Sequence, residues 1–195
     1  TGMCLRAAPI DASVLAAMRM ARDAGVPVSI DLNLRLELWG LDDAVLAIVT
    51  EAVALADVVL GNGPEELVPL ARASGFEVEG AEAAARALAG GTRTVVGRLG
   101  AQGALALSSE GEVVVAPGLA SDVCNPVGAG EAFNGGFIAA RVAGLPLAEA
   151  LRWGNAVGAL KVGRDGGARD QPSRAEVEAL RRAGAREVIA LAAHG

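Results

Sequence analysis

Short apolar strands that alternate with helical segments constrain the fold of this 195-residue chain more than any other feature. Helical periodicity over Ser13–Arg22 predicts a helix, and Val26–Ile30 after it predicts a short buried strand. Asp43–Ala54 and Val58–Leu60 repeat the same order. Strands joined through helices run parallel in one sheet. The sequence therefore predicts an α/β fold with a mostly parallel sheet covered on both faces.

The rest of the chain continues this pattern. Further helices are predicted near Glu65–Ala73, Ala81–Leu88, Gly128–Ala143, Leu147–Val162 and Arg174–Arg182, the last ending at Gly184. A third strand is predicted at Thr94–Leu99, and a hairpin at Ala104–Leu107 and Glu112–Val115. Neither a repeat nor a linker divides the sequence, so we expect residues 1–195 to form a single α/β domain.

Charge and composition exclude several classes of partner. The chain has 23 acidic and 17 basic residues, and its arginines are scattered rather than gathered in a basic stripe, so we expect no nucleic acid partner. No apolar run approaches the roughly 20 residues that span a bilayer, so we expect no membrane partner. Cys4, Cys124 and His194 form no metal-ligand pattern. We therefore expect a cytoplasmic protein with two buried thiols and His194 in a disordered tail.

The segment Asn125–Phe137 joins a glycine-rich turn to the start of a predicted helix. Gly128 and Gly130 let backbone N–H groups converge, and the helix N-terminus adds about half a positive charge, so the turn can bind phosphate. Glu131 would lie beside that phosphate as a carboxylate able to accept a proton, as phosphoryl transfer to a hydroxyl requires. The alternative is an ordinary helix start with a favourable first-turn glutamate.

Polar residues follow the first predicted strand. Asp31, Asn33 and Arg35 alternate along an expected extended segment, so their side chains would share one side of it. There they could contact a sugar or phosphate, for which Arg35 offers a bidentate fork. The alternative is a solvated strand end.

A second polar pair follows the next strand. Asn62 and Glu65 flank Pro64, where a helix is predicted to begin. One interpretation is a capping turn with a first-turn carboxylate. The other is a site that organises water and Mg²⁺, which prefers oxygen ligands.

Several segments together resemble the PfkB, or ribokinase-like, carbohydrate kinases. The glycine-rich segment is similar to the family signature Asp-Thr-x-Gly-Ala-Gly-Asp-x-Phe, which continues Asn-Gly-Gly-Phe. Asp31–Arg35 resembles the Asp-Pro-Asn-x-Arg segment of the ketodeoxygluconate kinase and fructokinase branches, and Asn62–Glu65 resembles Asn-x-x-Glu. Weaker likenesses extend over nearly the whole chain, at Val95–Leu105, Trp153–Ala156, Gly166–Ala168 and Gln171–Val177.

This resemblance implies a three-layer α/β/α ribokinase-like fold and ATP-dependent phosphotransfer to a sugar hydroxyl. It implies ATP and Mg²⁺ as cofactors and allows a monovalent cation. The implied catalytic group consists of Glu131 as base and an anion hole at Gly128, Ala129 and Gly130. Nucleotide-side positions are Asn62, Glu65, Arg98, Gly100, Gly103 and Asn155, with Glu65 reaching the metal through water, and sugar-side positions are Asp31, Asn33 and Arg35.

The signature departs from the family pattern at three positions. Glu131 stands where the family has the catalytic Asp, and its extra methylene moves the carboxylate by more than about 1 Å, a displacement that can cost on the order of a hundredfold in rate. Asn125 replaces the Asp that helps organise cation binding in relatives, and Pro126 replaces a Thr. A non-catalytic nucleotide-binding protein or scaffold is therefore the alternative function, and a simple oligomerising module is a third.

The start of the chain also bears on its partners. Thr1–Gly2 matches the middle of a family member, so the resemblance implies that the N-terminal part, with its Gly-Gly-Asp sugar-binding region, is missing. A sheet without its first strands presents an unpaired edge. We expect a homo-oligomer or an N-terminal half as partner.

Overall fold

The computed structural model describes residues 1–167 and 170–192. The helices are α1 (Ile10–Asp23), α2 (Leu36–Trp39), α3 (Asp43–Leu55), α4 (Val68–Ala73), α5 (Gly80–Ala89), α6 (Ala129–Val142), α7 (Leu147–Val162) and α8 (Arg174–Ala192). The strands are β1 (Ser29–Asp31), β2 (Val58–Asn62), β3 (Thr94–Arg98), β4 (Gly103–Leu107) and β5 (Val113–Pro117). Shorter helical turns cover Gly2–Arg6, Gly63–Leu67 and Gly100–Gln102.

In the described part of the chain the strands form one sheet in the order β1–β2–β3–β4–β5. The first three strands run parallel, with Val59 of β2 opposite Ile30 of β1 and Val95 of β3. These three side chains are buried on one face, and Leu60 of β2 and Val96 of β3 are buried on the other, as expected for parallel strands that are covered on both faces. The predicted α/β fold class is confirmed.

Strands β4 and β5 form the predicted hairpin. The Ser108 N–H donates to the Glu112 carbonyl at 2.8 Å, and the Gly118 N–H donates to the Gln102 carbonyl at 3.0 Å. The partner numbers fall on one strand as they rise on the other, which is the antiparallel register. The sheet is therefore mixed, with its parallel part at β1–β3.

The chain divides into two compact units, residues 1–99 with 105–114, and residues 100–104 with 115–195. The first unit contains β1–β3 and α1–α5, and its core includes the fully buried side chains of Leu32, Leu34, Val49 and Val59. Leucine and valine dominate this core, so apolar burial is its main source of stability.

The second unit contains α6, α7 and α8. Two rings of α6, Phe133 and Phe137, stack with centroids 6.3 Å apart. A Cβ on Gly154 of α7 would lie 2.7 Å from the Phe133 ring of α6. Only glycine at this position therefore allows α7 to lie this close to α6. Close packing of α6 on α7 fixes the start of α6, where the glycine-rich turn lies.

The predicted end of the last helix is wrong. The sequence places it at Gly184, whereas α8 continues to Ala192. A glycine ends a helix when it takes the left-handed conformation after the last turn, but within a helix it costs only about 1 kcal/mol relative to alanine. Sequence alone does not distinguish these two uses of glycine.

We expect Gly103→Ala to lower the free energy of unfolding by about 2–4 kcal/mol. Gly103 has φ +105°, and a Cβ there would lie 2.2 Å from the Ala116 carbonyl oxygen. The matched control is Gly111→Ala, where φ is +88° but no atom lies within 4 Å, and it should cost about 1 kcal/mol. Urea unfolding of both variants measures the difference, and equal losses would contradict the close backbone approach.

Candidate functional site

The three parallel strands each end in a polar residue: Asp31 in β1, Asn62 in β2 and Arg98 in β3. The guanidinium of Arg98 donates to Asp31 Oδ1 through both Nη atoms, each at 3.1 Å. Its Nη2 also lies 3.5 Å from Glu66 Oε2. These charged side chains are 10–16% exposed. Asp31 was predicted to bind the sugar and Arg98 to bind the nucleotide. The structure brings these two side chains into contact in the first unit.

Glu66 is the functional candidate that sequence reasoning missed. The residue is 8% exposed, and its carboxylate accepts the backbone N–H groups of Leu34 and Asn62, each at 2.7 Å. Burial raises the pKa of Glu66 above 4.5, against the lowering effects of these hydrogen bonds and of Arg98. A buried carboxylate that ties β2 to the segment after β1 holds the polar strand ends in place.

We expect Glu66→Gln to remove a pH dependence of stability. Because the pKa of Glu66 is raised in the folded chain, the folded state binds this proton more tightly than the unfolded state does. Stability therefore falls as pH rises from 4.5 through the raised pKa. Glutamine does not titrate, so the variant should lack this fall, whatever its stability at pH 4.5. Urea unfolding between pH 4.5 and 7 measures both slopes, and an unchanged slope would contradict the assignment to Glu66.

Asn62 and Glu65 form a reciprocal cap at the start of the turn Gly63–Leu67. Asn62 Oδ1 accepts the Glu65 N–H at 2.9 Å, and Asn62 Nδ2 donates to Glu65 Oε2 at 2.9 Å. The capping interpretation is therefore confirmed as geometry. The Glu65 side chain remains exposed, so capping leaves its carboxylate accessible to solvent.

The predicted extended conformation after β1 is wrong. Asn33 and Arg35 take left-handed φ values of 37° and 49°, which cost roughly 1–2 kcal/mol for a residue other than glycine. The burial pattern still alternates, because Leu32 and Leu34 are fully buried while Asp31, Asn33 and Arg35 are not. Arg35 is exposed at the start of α2. Backbone strain of this kind is typical of functional segments.

In the second unit the glycine-rich turn leads directly into α6. Gly128 is the N-cap residue with φ +84°, and no side chain of the described residues caps the helix. Before it, Asn125 Oδ1 accepts the Val127 N–H at 2.9 Å, which shapes the turn. First-turn N–H groups at an uncapped helix start need an outside acceptor, and an anion is a suitable one.

Glu131 lies in the first turn of α6 and is exposed. Its side chain borders a surface cavity of about 370 Å³ that is also lined by Trp153 of α7 and Val177 of α8. Ala129 and Gly130, the other predicted anion-hole residues, precede it in the same turn. The four residues predicted to be catalytic are consecutive in the sequence, and they form the N-cap and the first turn of α6.

The predicted nucleotide-side residues of the second unit are Asn155, Gly100 and Gly103. Asn155 is 8% exposed, and its Nδ2 donates to the carbonyls of Ala116 and Pro117 at 3.0 and 2.9 Å. These bonds tie α7 to β5. Gly100 takes φ +61° with open space around it, and Gly103 allows the close backbone approach described above.

A metal ion bound by the described residues would have few protein ligands. Among residues 1–167 and 170–192, no group of three His, Cys, Asp or Glu side chains could hold a metal ion. Mg²⁺ commonly keeps several waters and needs only one or two carboxylates. The exposed carboxylate of Glu65 fits a water-mediated contact of that kind.

Other sequence expectations have mixed outcomes. Cys4 is half-buried and Cys124 is exposed, so the prediction of two buried thiols is wrong. Ala168 and His194 lie outside the described residues. No helix within the described ranges is long and apolar enough to cross a membrane.

Comparison with known proteins identifies relatives across most of the chain. The chain is 36% identical over 159 residues to the aminoimidazole riboside kinase of Salmonella typhimurium, which covers 79% of this chain and 48% of that protein. It is 26% identical over 180 residues to the 5-dehydro-2-deoxygluconokinase of Bacillus licheniformis. That match covers 92% of this chain and 54% of that protein. The chain thus spans about half the length of the curated relatives it matches.

Fold comparison agrees with the sequence relatives. A crystal structure of fructokinase from Vibrio cholerae, with fructose, ADP and calcium ion bound, matches with a TM-score of 0.78 and 32% identity, covering 91% of this chain and 57% of that one. This match confirms the predicted ribokinase-like fold. The model of the pfkB family carbohydrate kinases matches residues 4–174, a range that includes the strand ends, the glycine-rich turn and Asn155. The chain therefore belongs to the PfkB family of carbohydrate kinases.

Proposed function

We propose that this chain contributes to ATP-dependent transfer of a phosphoryl group to a sugar hydroxyl. The observation that carries the proposal is the uncapped, glycine-led N-terminus of α6 with Glu131 in its first turn, in a member of a carbohydrate kinase family. A helix N-terminus of this kind favours the phosphate of a nucleotide. A carboxylate in the same turn supplies a proton acceptor.

Each residue of the turn has a separate task. The N–H groups of Ala129 and Gly130 stabilise negative charge on the transferring phosphoryl group. The oxygen of the sugar hydroxyl attacks the terminal phosphorus of ATP, and Glu131 accepts the proton of that hydroxyl. The bond from the phosphorus to the ADP oxygen breaks in the same step. Gly128 contributes by taking the left-handed φ of +84° at the N-cap, a conformation that a residue with a side chain adopts only under strain.

The first unit carries its own candidate binding residues. Glu65 would contact Mg²⁺ through water, and the ion neutralises phosphate charge when it is bound. The exposed guanidinium of Arg35 is available for a sugar or phosphate oxygen. Asp31 already accepts two hydrogen bonds from Arg98, so its contribution to sugar binding would be through its second oxygen or through Arg98.

A thermal melt with increasing MgATP tests the phosphate site. Binding at 100 times Kd should add about 2.7 kcal/mol, or about 5–10 °C in Tm for a chain of this size. Gly128→Val should abolish the shift. Gly144→Val is the matched control, because Gly144 has a similar φ of +79° but lies beyond the other end of α6, and it should retain the shift. A cooperative melt without any MgATP shift would contradict the proposal.

A non-catalytic nucleotide-binding protein is the second candidate function. Asn125 and Glu131, where relatives carry Asp, favour it, since one change removes a charge and the other moves the carboxylate. This candidate also predicts an MgATP shift, but no phosphotransfer. Variants of Glu131 separate the two functions.

A further inference from the structure

The most unusual buried group in the second unit is Lys161 in the last turn of α7. The residue is 1% exposed, and its Nζ atom is buried without a hydrogen-bond partner among the described residues. Lysine is rarely buried unless it is paired, because removing an unpaired charge from water is costly. An orphaned ammonium group therefore indicates an anion nearby in the working protein.

The glycine-rich turn lies directly against this side chain. Lys161 Cε is 3.7 Å from the position that a Cβ would take on Gly128. The next residue of α7, Val162, uses its carbonyl to accept the N–H groups of Cys124 and Asn125 at 2.7 and 2.9 Å. The end of α7 thus holds both the lysine and the chain that enters the turn.

The residues around the glycine-rich turn do not fit a bound monovalent cation. The family resemblance allows such a cation and associates it with the Asp that opens the signature, a position where this chain has the neutral Asn125. One negative charge is absent there and one positive charge, Lys161, lies beside the turn. Both differences oppose the binding of a cation, because like charges repel and the compensating carboxylate is missing.

We propose that Lys161 is a built-in cation behind the turn Gly128–Gly130, which strengthens anion binding at the N-terminus of α6 and makes it independent of a dissociable monovalent cation. This inference rests on the proposed function, since the anion it serves is the phosphate of the nucleotide. The ammonium group is buried behind the turn, so it acts through the field at the turn and is a positioning residue.

Lys161→Met tests the proposal, because methionine keeps most of the volume and removes the charge. Replacing an unpaired buried charge by an apolar side chain is neutral or stabilising, so the ligand-free Tm should stay equal or rise. Affinity for MgATP should fall by about tenfold or more. If Lys161 had a purely structural role, Lys161→Met would lower the ligand-free Tm and leave the affinity for MgATP unchanged. Arg152→Met on the same helix, which removes an exposed cation paired with Glu149, is the control and should keep the affinity.

Ions of different size complete the experiment. Wild-type affinity for MgATP should be the same in sodium, potassium and tetramethylammonium salts. Lys161→Ala leaves a cavity, so potassium or ammonium ions should restore its affinity, whereas Lys161→Met should not respond. A wild-type protein that requires potassium to bind MgATP, or a Lys161→Met variant with unchanged affinity, would overturn the proposal.

Tripolyphosphate serves as a second probe that separates this inference from the kinase proposal. Binding of tripolyphosphate that Lys161→Met weakens, together with no binding of MgATP, would support the built-in cation and contradict nucleotide binding. Binding of MgATP that Lys161→Met leaves unchanged would overturn the built-in cation alone. Failure of the wild-type protein to bind either probe would overturn both.

Discussion

Replacing Glu131 by glutamine should lower the rate of phosphate transfer from ATP to a sugar hydroxyl by about 10²–10⁴-fold, the usual contribution of a positioned general base. Glutamine cannot accept the hydroxyl proton, but it leaves the backbone N–H groups of the turn in place. MgATP affinity should therefore stay within about threefold, since binding depends on those groups. Release of ADP over a panel of sugars measures the rate, and thermal melts measure the affinity.

Two further variants make this result specific. Glu82→Gln removes an exposed first-turn carboxylate from α5 and should leave both rate and affinity unchanged. Glu131→Asp places the carboxylate where the family has it. With an intact N-terminal half supplied to both, an inactive parent and a strongly active Glu131→Asp variant would contradict catalysis by Glu131 and favour the non-catalytic nucleotide-binding protein.

Arg98→Met should lower the free energy of unfolding by about 3–5 kcal/mol, the range for breaking a buried ion pair by removing one partner. Arg98 contacts both Asp31 and Glu66, and all three side chains are 10–16% exposed. Without the guanidinium, two carboxyl groups at the ends of the parallel strands lose their shared cation. Urea unfolding near pH 7 measures the loss.

The control for Arg98 is the same substitution at a surface pair. Arg86 and Glu82 form an i,i+4 ion pair on α5 with both side chains about half exposed. Arg86→Met should cost no more than about 0.5 kcal/mol, because exposed pairs are screened by water and salt. Losses of similar size in Arg98→Met and Arg86→Met would show that the strand-end cluster does not stabilise the fold.

Apolar periodicity was sufficient to predict the order and type of the main elements. Strands β2 and β3 are covered on both faces, so each reads as a short apolar run that is bounded by polar residues, whereas β1 has Ile30 as its one buried side chain. The helices between them are amphipathic, and the predicted and observed bounds of α7, Leu147–Val162, are the same. These features depend on local sequence, which is why they can be predicted from it.

The strand-end cluster was only partly predictable. Asp31, Asn62 and Arg98 were singled out, but Glu65 was chosen over its neighbour Glu66. Which of two adjacent glutamates faces inward depends on the winding of the turn Gly63–Leu67, where an i→i+5 hydrogen bond gives more residues per turn than in an α-helix. Such a turn has no reliable local signal, so only the structure identifies Glu66 as buried.

The left-handed residues after β1 and the buried lysine were not predictable either. Asn33 takes positive φ readily enough, but Arg35 does so only because the surrounding chain imposes it. Lys161 lies in a helix whose sequence gives no indication of which basic side chains are buried. Both depend on contacts between segments distant in sequence.

The most direct test of the central claim is to titrate MgATP into the ¹⁵N-labelled chain and follow its backbone amide resonances. If the N-terminus of α6 binds the nucleotide phosphate, the amides of Ala129, Gly130 and Glu131 should show the largest shifts, and these should saturate with the same Kd as the thermal melts. Shifts confined to other segments, or no shifts with the chain folded, would contradict the account.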